Sequence, residues 1–169
     1  MAALPDFTAD CSACAALCCM ALHFDAGEDF AIDKPAGLPC PNLDDTLTCT
    51  IFDELEPAGF GGCARYDCRG AGQRVTQEVF ARQNWLTDPK LAIPMTQAFD
   101  VMRKVHEGLE LLVAAMRLDL DEDLELELED LIDVYAPEDG WNEASLDAFL
   151  TSNAPKRLAA FLPRLRAHV

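Results

Sequence analysis

The chain has 169 residues, 50% of them hydrophobic and 25% charged, and 13 Lys and Arg against 30 Asp and Glu give a net charge of −17. That length suits one domain, or a small domain with an appendage, with room for a real core, and the apolar content excludes a disordered acidic tail. The charge, with no basic cluster to offset it, argues against nucleic acid; the longest apolar run, Ala13 to Leu22, is about ten residues and too short to span a bilayer; and the lack of any base before Lys34 argues against a secretory signal.

In chain order, Asp6 or Thr8 is placed to cap a first helix over roughly Ala9 to Leu22, a stretch rich in Ala, Leu and Met. Asp25 to Asn42 carries Gly27, Pro35, Gly37, Pro39 and Pro41 and reads as an irregular loop. Thr46 to Leu55 is open between a short strand and a helix. Gly59, Gly61, Gly62, Gly70 and Gly72 then break regular structure around Cys63 and Cys68. The remainder reads as helices: Val75 to Trp85, then Thr96 to Leu118 with Phe99, Met102, Val105, Leu109, Leu112, Val113 and Met116 at spacings of three and four. Asp121 to Tyr135 alternates Leu and Glu at its centre, but Leu124, Leu128, Leu131 and Ile132 also form a helical stripe, and the composition favours helix. Glu143 to Leu150 and Lys156 to Ala167 follow, the last kinked near Pro163. The expected fold class is mainly α: a loop-rich cysteine region over residues 1–74 and a helical region over 75–169, packed as one unit.

All eight cysteines fall in the first region, as Cys11-x2-Cys14-x3-Cys18-Cys19 followed by Cys40, Cys49, Cys63 and Cys68. In the reducing compartment expected without a secretory signal, clustered cysteines serve more often as metal ligands or redox groups than as disulfides. Inert buried thiols are the plain alternative, suited to one or two cysteines rather than eight in this layout. On a continuous helix Cys11, Cys14 and Cys18 would fall at about 0°, 300° and 340°, on one face. Cys19 would sit about 100° from Cys18, turned away, and serve a second metal, a bridge or another partner. Eight thiols divide into two four-cysteine zinc sites, or hold one four-cysteine iron–sulfur cluster with four left over; spacing does not choose.

The run Cys11-x2-Cys14-x3-Cys18-Cys19, then Cys40-Pro-Asn-Leu, Cys49-Thr-Ile and Cys63-x4-Cys68, resembles the zinc- or iron-chelating cysteine-cluster family that includes flagellin N-methylase-like proteins. Its pattern is CxxCxxxCC, C-x-x-L, C-x-I-Y and a closing cysteine pair, and all eight cysteines match; Phe52 stands in place of the Tyr. Closer still is the resemblance to the cysteine-rich region ahead of pentapeptide repeats in some bacterial proteins. It is carried by Phe30-Ala31-Ile32-Asp33-Lys34, Gly59-Phe60-Gly61-Gly62-Cys63 and Tyr66-Asp67-Cys68-x-Gly70-Ala71-Gly72-Gln73, and it continues through Trp85 to Met102-Arg103 and His106. This chain carries no such repeat. The resemblance implies metal binding by Cys11, Cys14, Cys18, Cys19, Cys40, Cys49, Cys63 and Cys68 and brings no established reaction.

His23 is a possible ninth ligand or an ordinary surface histidine. Arg103, His106 and Glu107 share a helix face, as a polar site beside the cysteines or as a solvated ion pair. Gly70-Ala71-Gly72-Gln73 is better read as a helix entry than as a phosphate loop. Lys34, one of two bases before residue 69, either neutralises the cysteine cluster or pairs with a nearby Asp. Nine acids between Asp119 and Asp133 offer an acidic helical face for a protein partner. No catalytic group is legible. The expectation is a cytoplasmic, bacterial-type protein binding zinc or an iron–sulfur centre; the alternative is an iron–sulfur redox or methylase-like enzyme or its accessory subunit.

Overall fold

The computed structural model describes residues 4–168. Its regular structure is helical: α1 (Leu17–Ala21), α2 (Gly61–Arg65), α3 (Ala71–Arg74), α4 (Ala92–Ala115), α5 (Glu122–Tyr135), α6 (Glu143–Thr151) and α7 (Ala154–Phe161). Extended pairing among the described residues is limited to two antiparallel bridges, Phe24 with Lys34 and Leu43 with Cys49. No described helix is long and apolar enough to cross a membrane.

The long helix α4 is the axis. Met95, Phe99, Met102, Val105, Leu109 and Leu112 are fully buried along it, and Val101, Ala98 and His106 extend the buried surface around its circumference. Met116, expected in the stripe, lies past the helix end and is exposed. The helix begins at Ala92, earlier than Thr96, because Pro94 occupies the first turn, where no intrahelical N–H bond is lost. Gly108 faces α5: a Cβ there would come within 2.3 Å of the Tyr135 ring, so the close crossing of the two helices requires glycine. Along α5, Leu124, Leu128, Leu131, Ile132 and Tyr135 point inward and the acids outward, and the Asp121 carboxylate accepts the Leu124 N–H at 3.0 Å as the N-cap. The helical reading of the Leu–Glu alternation therefore holds. Asn142 and Ser145 form a reciprocal capping box at the start of α6. After α7 the chain continues as a 3-10 turn, Leu162–His168, containing Pro163.

Two departures reshape the cysteine region. The expected first helix is not continuous: a 3-10 turn, Cys11–Ala13, is followed by extended Cys14 and by Ala16 in the left-handed region (φ 52°), and only Leu17–Ala21 is α-helical. Helix propensity there is overridden by tertiary bonds. The Ala15 N–H donates to Thr76 Oγ1 at 2.9 Å, and its carbonyl accepts the Trp85 indole N–H at 2.7 Å. The expected helix from Val75 instead starts at Ala71, runs on as a π-helical turn Val75–Val79, and stops before Trp85, with Ala81 and Arg82 both at positive φ. One apolar core includes Ala15, Leu17, Met20 and Ala21 from the cysteine region together with α4–α7.

Candidate metal centre

The eight cysteines, spread along nearly sixty residues of sequence, all line one cavity of about 870 Å³. Its walls also include Phe24, Phe30, Phe60 and Phe99, with Tyr66, Asp100 and Arg103 at one side and His23 and Phe52 toward solvent. All eight are free thiols; Cys40 is buried, Cys11 exposed, and the rest half-buried. Among the described residues no three His, Cys, Asp or Glu side chains converge tightly enough to hold an ion as they stand.

The helix-face geometry expected for Cys11, Cys14 and Cys18 does not exist, because the chain breaks at Ala16. Cys11 and Cys14 reach the cavity from a 3-10 turn, and Cys18 and Cys19 from α1. Nor is Cys19 turned away: its Sγ lies 3.9 Å from that of Cys18. With only five residues in α1, both adjacent side chains reach the same cavity from its one end. Gly72 makes room for Cys14, since a Cβ would fall 2.6 Å from the Cys14 Sγ. Gly70, at φ 77°, starts α3, so the glycine run is a helix entry with packing reasons for its glycines.

Thiol acidity follows burial and crowding. Burial pushes Cys14 up to about 12 and Cys63 up to about 11, and it raises Cys11 and Cys49 as well. Cys18 is held well above the usual thiol range by its contact with Cys19 and by burial. Neighbouring thiols add to each shift, because like charges at close range disfavour ionisation. A divalent cation would reverse this balance, since thiolate is the ligand form.

Lys34 is the group whose weight the sequence understated. Its side chain is buried at 3% exposure, and its ammonium donates to the carbonyls of Leu38 (2.8 Å), Pro35 (3.1 Å) and Met20 (3.4 Å). It lies 5.1 Å from the Phe24 ring centre, which stacks on Phe30 at 4.4 Å. No described carboxylate pairs with it. Burial lowers its pKa, while Cys40, Cys19, Cys18 and Cys63 work in the opposite direction.

The Arg103, His106 and Glu107 face separates in three dimensions. Glu107 is exposed, and Arg103 reaches the cavity, pairing with Asp100 at 3.1 Å and packing 5.5 Å from the Phe99 ring centre. His106 is fully buried rather than solvated. Its Nδ1 lies 2.6 Å from the Arg69 carbonyl and its Nε2 3.4 Å from Arg74 Nη1, an arrangement that suits a neutral ring donating to Arg69 and accepting from Arg74. Burial lowers its pKa to about 4, with the Arg69 carbonyl opposing and Arg74 adding. His106 thereby pins the residue after Cys68. The Tyr66 hydroxyl and Arg103 Nε are buried at the cavity wall without a hydrogen-bond partner. Arg103 thus lies beside the cysteines, as one of the two sequence readings of its helix face expects, whereas Tyr66, quoted only within the resemblance, gains its place at the wall from the fold.

On α5 the acidic face is partly engaged, with Glu127 paired to Arg164 and Asp130 to Arg157. Among proteins of known sequence, the uncharacterized protein YybG of Bacillus subtilis (strain 168) is 40% identical over 123 residues. That match takes in 73% of this chain and 44% of YybG, so the chain spans less than half the length of this relative. No family model and no solved structure matches the chain.

Proposed function

We propose that this chain is a metal-binding protein, whose cavity holds zinc or an iron–sulfur centre through Cys11, Cys14, Cys18, Cys19, Cys40, Cys49, Cys63 and Cys68. The observation that carries the reading is that all eight thiols line a single cavity. Sulfur donors of this number suit tetrahedral zinc or a cysteine-held cluster. Closure onto an ion requires side-chain rotation and loss of protons, and the ion's charge must offset the burial and crowding that hold five of the thiols neutral. The same upward shifts weigh against Cys11, Cys14, Cys18, Cys49 or Cys63 as the attacking thiol of a disulfide-exchange catalyst, which needs a stabilised thiolate. Free thiols accord with a reducing, cytoplasmic setting.

The size of the cavity and the polar groups on its wall favour a second reading of the same centre. About 870 Å³ falls within the range of small-molecule sites and exceeds what ions alone need. An iron–sulfur centre there would serve redox or methylase-like modification chemistry, alone or as an accessory subunit. The acidic α5 face is the surface proposed for a protein partner. Zinc without sulfide in anaerobically purified protein supports a structural metal and counts against the second reading; a brown protein with matching iron and sulfide is what the second reading requires. Cys18→Ser is expected to lose metal and lower the melting temperature together. A variant with full metal content and unchanged melting would contradict both.

A further inference from the structure

We infer that the eight thiols divide into two four-sulfur sites for divalent ions of the zinc type: Cys11, Cys14, Cys18 and Cys68 in one, and Cys19, Cys40, Cys49 and Cys63 in the other. This rests on the metal-binding reading above and gives it a ligand assignment that the sequence spacing leaves open.

Backbone bonds sort most of the thiols. The Cys14 N–H donates to the Cys11 carbonyl at 3.3 Å, closing one turn. Cys14 Sγ then lies against Gly72 of α3, and the Cys68 carbonyl accepts the Ala71 N–H at 3.0 Å at the start of that helix. Cys11, Cys14 and Cys68 therefore gather at the entry of α3. On the other side, the Cys40 N–H donates to the Cys19 carbonyl at 3.0 Å. The Cys40 carbonyl accepts the Leu43 N–H at 3.0 Å, and Leu43 bridges to Cys49. Cys63 sits on α2 beside the Phe24–Lys34 hairpin, fixed by the Gly62 N–H to the Asp29 carbonyl at 3.0 Å and by Gly62 packed on the Phe30 ring. Cys18 and Cys19, with sulfurs 3.9 Å apart, form the seam. The Cys40 bond ties Cys19 to its own side, which leaves Cys18 to complete the other set of four.

Lys34 supplies an observation of a different kind. Its buried ammonium has carbonyl partners and no described carboxylate, and the thiols that act on it are Cys40, Cys19 and Cys63 of the second set together with Cys18 at the seam. A buried charge calls for a compensating one. Neutral thiols do not provide it, whereas four thiolates around one divalent ion carry net negative charge next to the ammonium. The second site is thus charge-matched by Lys34.

The test is metal stoichiometry with cobalt(II) and zinc on the full chain, reduced and freed of metal. Wild type is expected to saturate its cobalt–thiolate absorption at two equivalents. The double variants Cys14→Ser/Cys68→Ser and Cys40→Ser/Cys63→Ser are each expected to keep one ion, whereas Cys14→Ser/Cys40→Ser keeps none. Lys34→Met is expected to weaken one of the two binding steps at least tenfold in chelator competition and to leave the other within threefold. Equal losses in all three double variants, or equal effects of Lys34→Met on both steps, would overturn the division and leave metal binding standing. So would wild type saturating at one equivalent, or holding a single iron–sulfur cluster as isolated. Wild type that takes up no metal would overturn the division and the metal-binding reading together. The wild-type titration and Lys34→Met decide the matter even where a double cysteine variant fails to fold.

Discussion

At the scale of single residues, the buried charges and rings around the cysteines have measurable consequences. His106 has a folded pKa of about 4 against an ordinary 6.5. The unfolded chain therefore binds the extra proton first as pH falls. The stability that neutral His106 contributes is fully present above 6.5 and is lost progressively down to about 4, with a total on the order of 3 kcal/mol. His106→Gln retains a donor for the Arg69 carbonyl without the titration, so its stability should fall less steeply than wild type across that window. Denaturant melts at several pH values check this, and parallel curves for the two proteins would contradict it. Lys34 was legible as one of two bases among the acids of the first region, but its burial was not. Only the folded hairpin brings its ammonium under three carbonyls and next to the thiols.

At the scale of elements, the sequence was most legible where local and tertiary preferences agree. The start of α5 could be read from Asp121 and its apolar stripe, and Asp121→Ala should cost about 1 kcal/mol through loss of the bond to Leu124. Leu131, fully buried on the same helix, should cost roughly 2–5 kcal/mol on truncation to Ala. Thermal melts of both variants give the order, and equal losses would remove the distinction between cap and core. The first cysteine turn departs from the expected helix although Ala, Leu and Met favour helix locally. Bonds from Ala15 to Thr76 and Trp85, sixty and seventy residues away, decide the conformation instead. Long-range pairing of this kind leaves no periodic trace. The identity of the eight site cysteines was legible from their spacing; their arrangement was not, because it depends on that broken helix and on loops closed by single backbone bonds.

At the scale of the whole molecule, one core joins the cysteine region to the helices. Trp85 reports on the first through its bond to the Ala15 carbonyl, and Trp141 reports on the second through edge contact with Phe149. Single-tryptophan variants, Trp85→Phe and Trp141→Phe, should give coincident unfolding curves after correction for any stability change, as expected of one cooperative unit. Two separated transitions would instead mark two units. Under the proposed function a bound ion would add to this core, because ions that bind only the folded chain raise its stability. The most direct measurement is the zinc, iron and acid-labile sulfide content per chain of protein purified without oxygen, read beside its melting temperature before and after chelation. Bound zinc or iron and a clear fall in melting temperature on its removal are the expected results. Protein that holds no metal, with its cysteines in ordered disulfides and a melt indifferent to chelator, would contradict it.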